Sequence, residues 1–143
     1  MSGRPMPKGT GVSGTYTYTV RMRLTDGAGV VFFARWFEIA HDAYEDFLSE
    51  RGAPLPRDLA RARPIMPVVH AEADYRASIA LGDEITVRVQ VEEVRRRAFT
   101  LGYTITNGDG TPCGTLRTVH VAIEEMGGRP VELPPNVRAA LGA

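Results

Sequence analysis

Apolar residues recur with a period of two across residues 15–24. Tyr16, Tyr18, Val20, Met22 and Leu24 share one face, and Thr17, Thr19, Arg21 and Arg23 share the other. This alternation predicts a half-buried strand. After a turn at residues 25–29 the period changes. From about Val31 to Glu50, the residues Phe33, Phe37, Ala40, Tyr44, Phe47 and Leu48 fall on one side of a helical wheel, with Glu38, Asp42, Glu45 and Asp46 opposite. His41 falls with the apolar group. The pattern predicts a long amphipathic helix, closed by Arg51-Gly52, a cation and then a glycine.

Residues 53–64 are broken by Pro54, Pro56 and Pro64 and carry Arg57, Arg61 and Arg63, which predicts a loop over the helix end or a pocket mouth. The two-residue period then returns four times. It runs through residues 66–78, through Ile85, Val87, Val89 and Val91, through Phe99, Leu101, Tyr103 and Ile105, and through residues 115–123. Turns fall at Leu81-Gly82-Asp83, at Arg95-Arg96-Arg97 and at Asn107-Gly108-Asp109-Gly110, the last a strong hairpin signal. Gly127-Gly128 and Pro134-Pro135 punctuate a tail with room for one helical turn.

The order strand, long helix, four strands in a meander predicts an α+β domain in which a five-stranded antiparallel sheet wraps one helix. One helix covers only one face of such a sheet. Pairing of Val68–Tyr75 with a second copy would hide an edge, so a homodimer or homotetramer is expected.

Composition narrows the setting. The chain has 143 residues, 43% apolar and 24% charged, which suits one domain with a sizeable core. Residues 1–14 are small, polar and rich in Gly and Pro. They read as a flexible arm without a leader pattern, with residues 15–143 as the domain. A net charge of zero supplies no field toward nucleic acid or a membrane, and no apolar run approaches the about 20 residues needed to span a bilayer. Cys113 is the one cysteine, so no internal disulfide forms and a reducing, cytoplasmic location is expected. It precedes Gly114 without a neighbouring histidine and reads as a buried thiol, not a nucleophile.

The chemistry concentrates at the start of the long helix. Asp26 precedes a glycine-rich turn, Gly27-Ala28-Gly29, and the turn leads into Val30-Val31-Phe32-Phe33. A helix start presents unpaired N–H groups and a positive dipole end, which can polarise a carbonyl oxygen as it gains negative charge. A carboxylate just upstream is placed to act on the same carbon. Read alone, Asp26 is better explained as a helix cap or turn acid, since Asp is common at both.

The segment Thr25-Asp26-Gly27-Ala28-Gly29-Val30-Val31-Phe32-Phe33 resembles the active-site segment of the 4-hydroxybenzoyl-CoA thioesterase family, which has the hotdog fold. Further pieces are similar, above all to its 1,4-dihydroxy-2-naphthoyl-CoA thioesterases: His41-Asp42-Ala43-Tyr44-Glu45, Pro67-Val68-Val69-His70-Ala71, Leu81-Gly82-Asp83 and Val119-His120-Val121. Two positions depart from the pattern. Gly27 stands where proline or another small residue is frequent, and Phe33 where some members carry tyrosine or histidine; a backbone N–H survives both changes.

The resemblance implies hydrolysis of an acyl-CoA thioester, with coenzyme A entering only as part of the substrate and no further cofactor or metal. The N–H of Phe33, with that of Phe32, would hold the oxyanion, while Asp26 attacks the carbonyl carbon or activates water. Gly29, Val30, Trp36, His41, Tyr44, Val69 and His70 are the implied substrate contacts. Arg95, Arg96 and Arg97 would meet the phosphates of CoA, which guanidinium groups suit, with Arg97 ahead of Arg95. Phe32, Phe33, Trp36 and Tyr44 near the acid favour an aromatic acyl group. His70 shares a strand face with Glu72 and Asp74, which favours a subunit seam over a substrate contact, while His120 reads as structural. Release of an acyl chain from a carrier protein, and acyl-CoA binding without turnover, remain open on the residues alone.

Overall fold

The computed structural model describes residues 10–143. Of the expected arm, residues 1–9 lie outside the described residues. Beyond them, the Thr10 N–H already donates to the Val91 carbonyl (3.0 Å), so the chain joins the sheet before residue 15.

The elements are β1 (Ser13–Thr19), α1 (Trp36–Glu50), β2 (Val68–Tyr75), β3 (Glu84–Val94), β4 (Ala98–Asn107), β5 (Pro112–Val121) and a short α2 (Pro135–Ala140). The strands form one antiparallel sheet in the order β1-β3-β4-β5-β2. Strand, helix and four strands therefore follow in the expected order. The meander is shorter than expected: β3, β4 and β5 are neighbours, but β2 crosses to the far edge and pairs with β5.

The alternation places one face of each central strand on α1. Ile85, Val87, Val89 and Val91 of β3, Phe99, Leu101, Tyr103 and Ile105 of β4, and Leu116 of β5 are buried there. From the helix, Ile39, Ala40, Ala43, Tyr44, Phe47 and Leu48 meet them. Each such large side chain removed from water contributes about 1.5–3 kcal/mol. The opposite helix face, with Glu38, Asp42, Glu45 and Asp46, is exposed. Tyr16 and Tyr18 of β1 reach across to Glu50 and Asp46 with their hydroxyls, tying the first strand to the helix.

Two boundaries differ from the sequence pattern. β1 ends at Thr19, and Met22–Leu24 form a 3-10 turn. Val20 and Leu24 are buried as the alternation requires, but Met22 is exposed, because the chain leaves the sheet edge and nothing lies above it. The helix also starts later than Val31. The Val31 N–H bonds to the Ile79 carbonyl (2.7 Å) and the Phe32 N–H to the Leu24 carbonyl (3.1 Å), so both residues are held in ladder geometry. A 3-10 turn at Phe33–Arg35 then leads into α1. The proline-broken loop after α1 is mostly exposed and lines none of the cavities described below.

β2 is an edge strand. Its free side and both of its ends expose Val68, Val69 and Tyr75. Among the described residues, no helix is long and apolar enough to cross a membrane.

Candidate active site

Asp26 opens a tight hairpin between Leu24-Thr25 and Val31-Phe32. Its N–H donates to the Val30 carbonyl (2.8 Å), and its carbonyl accepts the Gly29 N–H (3.2 Å). Oδ1 accepts the Ala28 N–H at 2.8 Å and the Val30 N–H at 3.4 Å. Gly29 has φ 81, a left-handed conformation that a side chain would strain. The turn is stitched to the β2–β3 connection: the Leu81 N–H donates to the Gly29 carbonyl (2.9 Å). Asp26 is exposed, and its Oδ2 makes no hydrogen bond among the described residues. The carboxylate therefore shapes the turn with one oxygen and presents the other outward.

Two amides were expected to face an oxyanion. The Phe32 N–H does not, because the Leu24 carbonyl occupies it. The N–H groups of Phe33 and Ala34 open the 3-10 turn and have no acceptor among the described residues. The open pair is thus shifted one residue along the chain. The Phe33 carbonyl accepts the Tyr75 hydroxyl at 2.7 Å. Trp36 is buried edge-on against the same Tyr75 ring, at 4.9 Å and 88°. It also lies on Gly114 of β5, where a Cβ would come within 2.8 Å of the indole and 2.6 Å of the Asp74 carbonyl. Val31, Phe33, Trp36, Tyr75, Arg76, Ala77 and Ser78 wall an open cleft of about 320 Å³ at this helix start. Asp26 is not in its wall.

A second cavity, of about 220 Å³, lies further along α1. Phe37 and His41 of the helix, Val68 and Ala71 of β2, and Tyr103, Thr118 and His120 of the sheet line it. Phe33, Phe37 and His41 follow one another at four-residue spacing, so one stripe of α1 runs past both spaces. His41 stands at the border of the apolar face: its side chain is nearly half exposed, 4.0 Å from Glu45, with its ring edge-on to Tyr44. His120 is 1% exposed and stacks on Tyr44 (4.6 Å, 28°) and Phe99 (4.6 Å, 6°). Its Nε2 lies 2.9 Å from Thr118 Oγ1, which lies 2.8 Å from the Tyr103 hydroxyl. Burial lowers the His120 pKa to about 4; the backbone of Met66 pulls the other way and is outweighed. Burial also raises Tyr44 and Tyr103 above the ordinary phenol range.

Other expected contacts lie elsewhere. His70 faces the outer side of the sheet, 3.3 Å from Glu72, and Val69 is exposed at the irregularity between Val68 and His70. Arg95, Arg96 and Arg97 are exposed in the β3–β4 turn. Tyr75 is registered with Gly114 and Ala98 with Val121, so that turn lies about 24 Å along β5 from the helix start. Arg95 pairs with Glu93 (3.1 Å) and Arg96 with Glu132 (2.8 Å), whereas Arg97 makes no ion pair among the described residues. Cys113 is fully buried, and burial raises its thiol pKa.

Sequence reasoning missed Tyr75 and the Tyr103–Thr118–His120 chain. Both are carried by strand residues whose alternation signals burial and nothing more. Only the registers Tyr75 with Gly114 and Leu101 with Thr118 bring their polar ends toward the helix.

One long helix wrapped by a five-stranded antiparallel sheet, with an acid-bearing glycine turn at its start, is the hotdog arrangement of thioester hydrolases. The model of the thioesterase-like superfamily matches residues 20–141, and the chain belongs to that family. It is a thioester hydrolase of the acyl-CoA thioesterase class. It is 34% identical over 131 residues to a 1,4-dihydroxy-2-naphthoyl-CoA hydrolase of Picosynechococcus, covering 88% of this chain and 90% of that one. A namesake from Synechococcus elongatus is 32% identical over 120 residues, covering 83% and 88%. The crystal structure of a 1,4-dihydroxy-2-naphthoyl-CoA thioesterase from Synechocystis superposes with a TM-score of 0.85 at 28% identity, over 92% of this chain and 96% of that one.

Proposed function

We propose that this thioesterase hydrolyses aromatic acyl-CoA esters of the hydroxybenzoyl or dihydroxynaphthoyl type to the free acid and CoA. The observation that carries the reading is the pair of open amides, Phe33 and Ala34, above a cleft walled by Phe33, Trp36 and Tyr75, with Asp26 on the turn that leads into it. The thioester oxygen accepts those N–H groups as the carbonyl carbon becomes tetrahedral. Such a donor is worth about 3 kcal/mol of barrier. Asp26 Oδ2 adds to that carbon, expelling CoA as a thiolate and leaving a mixed anhydride that water opens, or it takes a proton from the attacking water. A thiolate leaves readily, so no strong general acid is required.

The complete site belongs to a dimer. A second copy docked antiparallel along the free edge of β2 would cover the exposed Val68, Val69 and Tyr75. A two-fold axis there sets the Val68 end of the partner beside the Tyr75 end of this chain. The Arg95–Arg97 turn at that far end then approaches the cleft of the other subunit, and Arg97 is the guanidinium left for the CoA phosphates. His41 borders the space for the acyl ring, and Tyr44 backs it through its stack on His120.

The test is a screen of benzoyl-, hydroxybenzoyl-, 1,4-dihydroxy-2-naphthoyl- and straight-chain CoA esters, with the released thiol read by a dye. Aromatic esters are expected to exceed straight-chain esters in kcat/KM by about tenfold or more. Preference for straight chains, or turnover only of carrier-bound thioesters, would contradict the proposal.

A further inference from the structure

The second cavity contains more hydrogen-bonding capacity than an apolar pocket needs. His120 is held against the Tyr44 and Phe99 rings, which fix its orientation. Nε2 meets Thr118, and the buried Nδ1 has no partner at full hydrogen-bond geometry among the described residues, with the Met66 backbone as its polar neighbour. Tyr103 and Thr118 line the same space and complete a chain of three groups.

Each hydroxyl carries one hydrogen, so the chain can run in two directions. If Thr118 donates to Nε2, Tyr103 donates to Thr118 and an oxygen lone pair of Tyr103 is left over. If Nε2–H donates to Thr118, Thr118 donates to Tyr103 and the Tyr103 O–H is left over. A leftover function of either kind in an otherwise apolar space costs about 1–3 kcal/mol. A ligand hydroxyl both donates and accepts, and therefore satisfies the chain in either direction. A methyl or a bare ring edge satisfies neither. Phe37, His41, Val68 and Ala71 supply the rest of the wall, and no carboxylate or guanidinium does, which suits a neutral group.

We infer that the Tyr103–Thr118–His120 chain recognises a ring hydroxyl on the acyl group, making this enzyme selective for phenolic over unsubstituted aryl-CoA esters. The inference rests on the reading that places the acyl group along α1. The spacing agrees with it: Phe33 at the first cleft and Phe37 at the second cavity are about 6 Å apart along the helix, within the length of a naphthoyl group.

The test pairs binding with turnover. Titration calorimetry compares 1,4-dihydroxy-2-naphthoic acid with 2-naphthoic acid, and kinetics compares their CoA esters, for the wild type, Tyr103→Phe and Thr118→Val. Both substitutions keep side-chain shape, and circular dichroism checks the fold. The wild type should favour the hydroxylated ligand by about tenfold or more, and each variant should reduce that ratio to within about threefold. A wild-type ratio near one, or a ratio that both variants preserve, overturns the inference while the thioesterase reading stands. If no CoA ester is hydrolysed, the thioesterase reading fails and the acid-binding ratio still decides; absence of both binding and turnover overturns the inference as well.

Discussion

The Tyr75 hydroxyl donates a 2.7 Å hydrogen bond to the Phe33 carbonyl, joining the end of the edge strand to the first peptide of the helical segment. The open Ala34 N–H belongs to that same planar peptide unit and points opposite to the Phe33 carbonyl, so Tyr75 fixes the direction in which the amide points. Tyr75→Phe keeps the ring edge-on to Trp36 and removes only this bond. A fall in kcat/KM of about tenfold is expected, with a change in unfolding free energy below about 1 kcal/mol. Parallel kinetics and urea titration would separate the two effects.

Gly114 lets the Trp36 indole lie on β5, and a Cβ there would collide with both the indole and the Asp74 backbone. Gly114→Ala should therefore displace Trp36 and cost about 2 kcal/mol. Trp36 is the one tryptophan in the chain, so its fluorescence emission reports the site directly. A red shift is expected in the variant.

Val69 is exposed on the free edge of β2. Val69→Asp places a charge in the proposed seam between two copies. Light scattering should show the mass halved relative to the wild type, and activity should fall with it, because the Arg95–Arg97 turn would no longer meet the cleft of the other subunit.

His120 sets part of the acid sensitivity. Its folded pKa of about 4 lies below the unfolded value of 6.5, so the fold favours neutral imidazole. The stabilisation is present above pH 6.5 and is lost as pH falls from there toward 4, where the unfolded chain takes up the proton first. The full contribution is about 3 kcal/mol. His120→Phe should flatten the decline in denaturant midpoint between pH 6.5 and 4.5; an unchanged slope would assign that decline to other groups.

Much of this arrangement is legible in the sequence because burial leaves a period. The alternation at Ile85–Val91 and Phe99–Ile105, and the apolar stripe of α1, set the sheet face and the helix. Pairing is not periodic, and that is why β2 reads as the neighbour of β3 although it pairs with β5. The helix start is not legible for a related reason. Val31 and Phe32 are acceptable in either state, and their amides are claimed by Ile79 and Leu24, residues that no local pattern links to them. Of the candidate site, Asp26 and Phe33 are legible in the glycine turn, whereas Tyr75 and His120 reach their positions beside the helix only through the register of β2 and β5.

The central claim is that Asp26 acts on a carbonyl held by the amides of Phe33 and Ala34. The most direct measurement is single-turnover hydrolysis of 1,4-dihydroxy-2-naphthoyl-CoA by Asp26→Asn. The amide keeps an oxygen for the Ala28 N–H, so the turn should survive, with a thermal midpoint near that of the wild type. A loss of rate of about a thousandfold or more is expected. A folded variant that hydrolyses the ester within about threefold of the wild-type rate would contradict the claim.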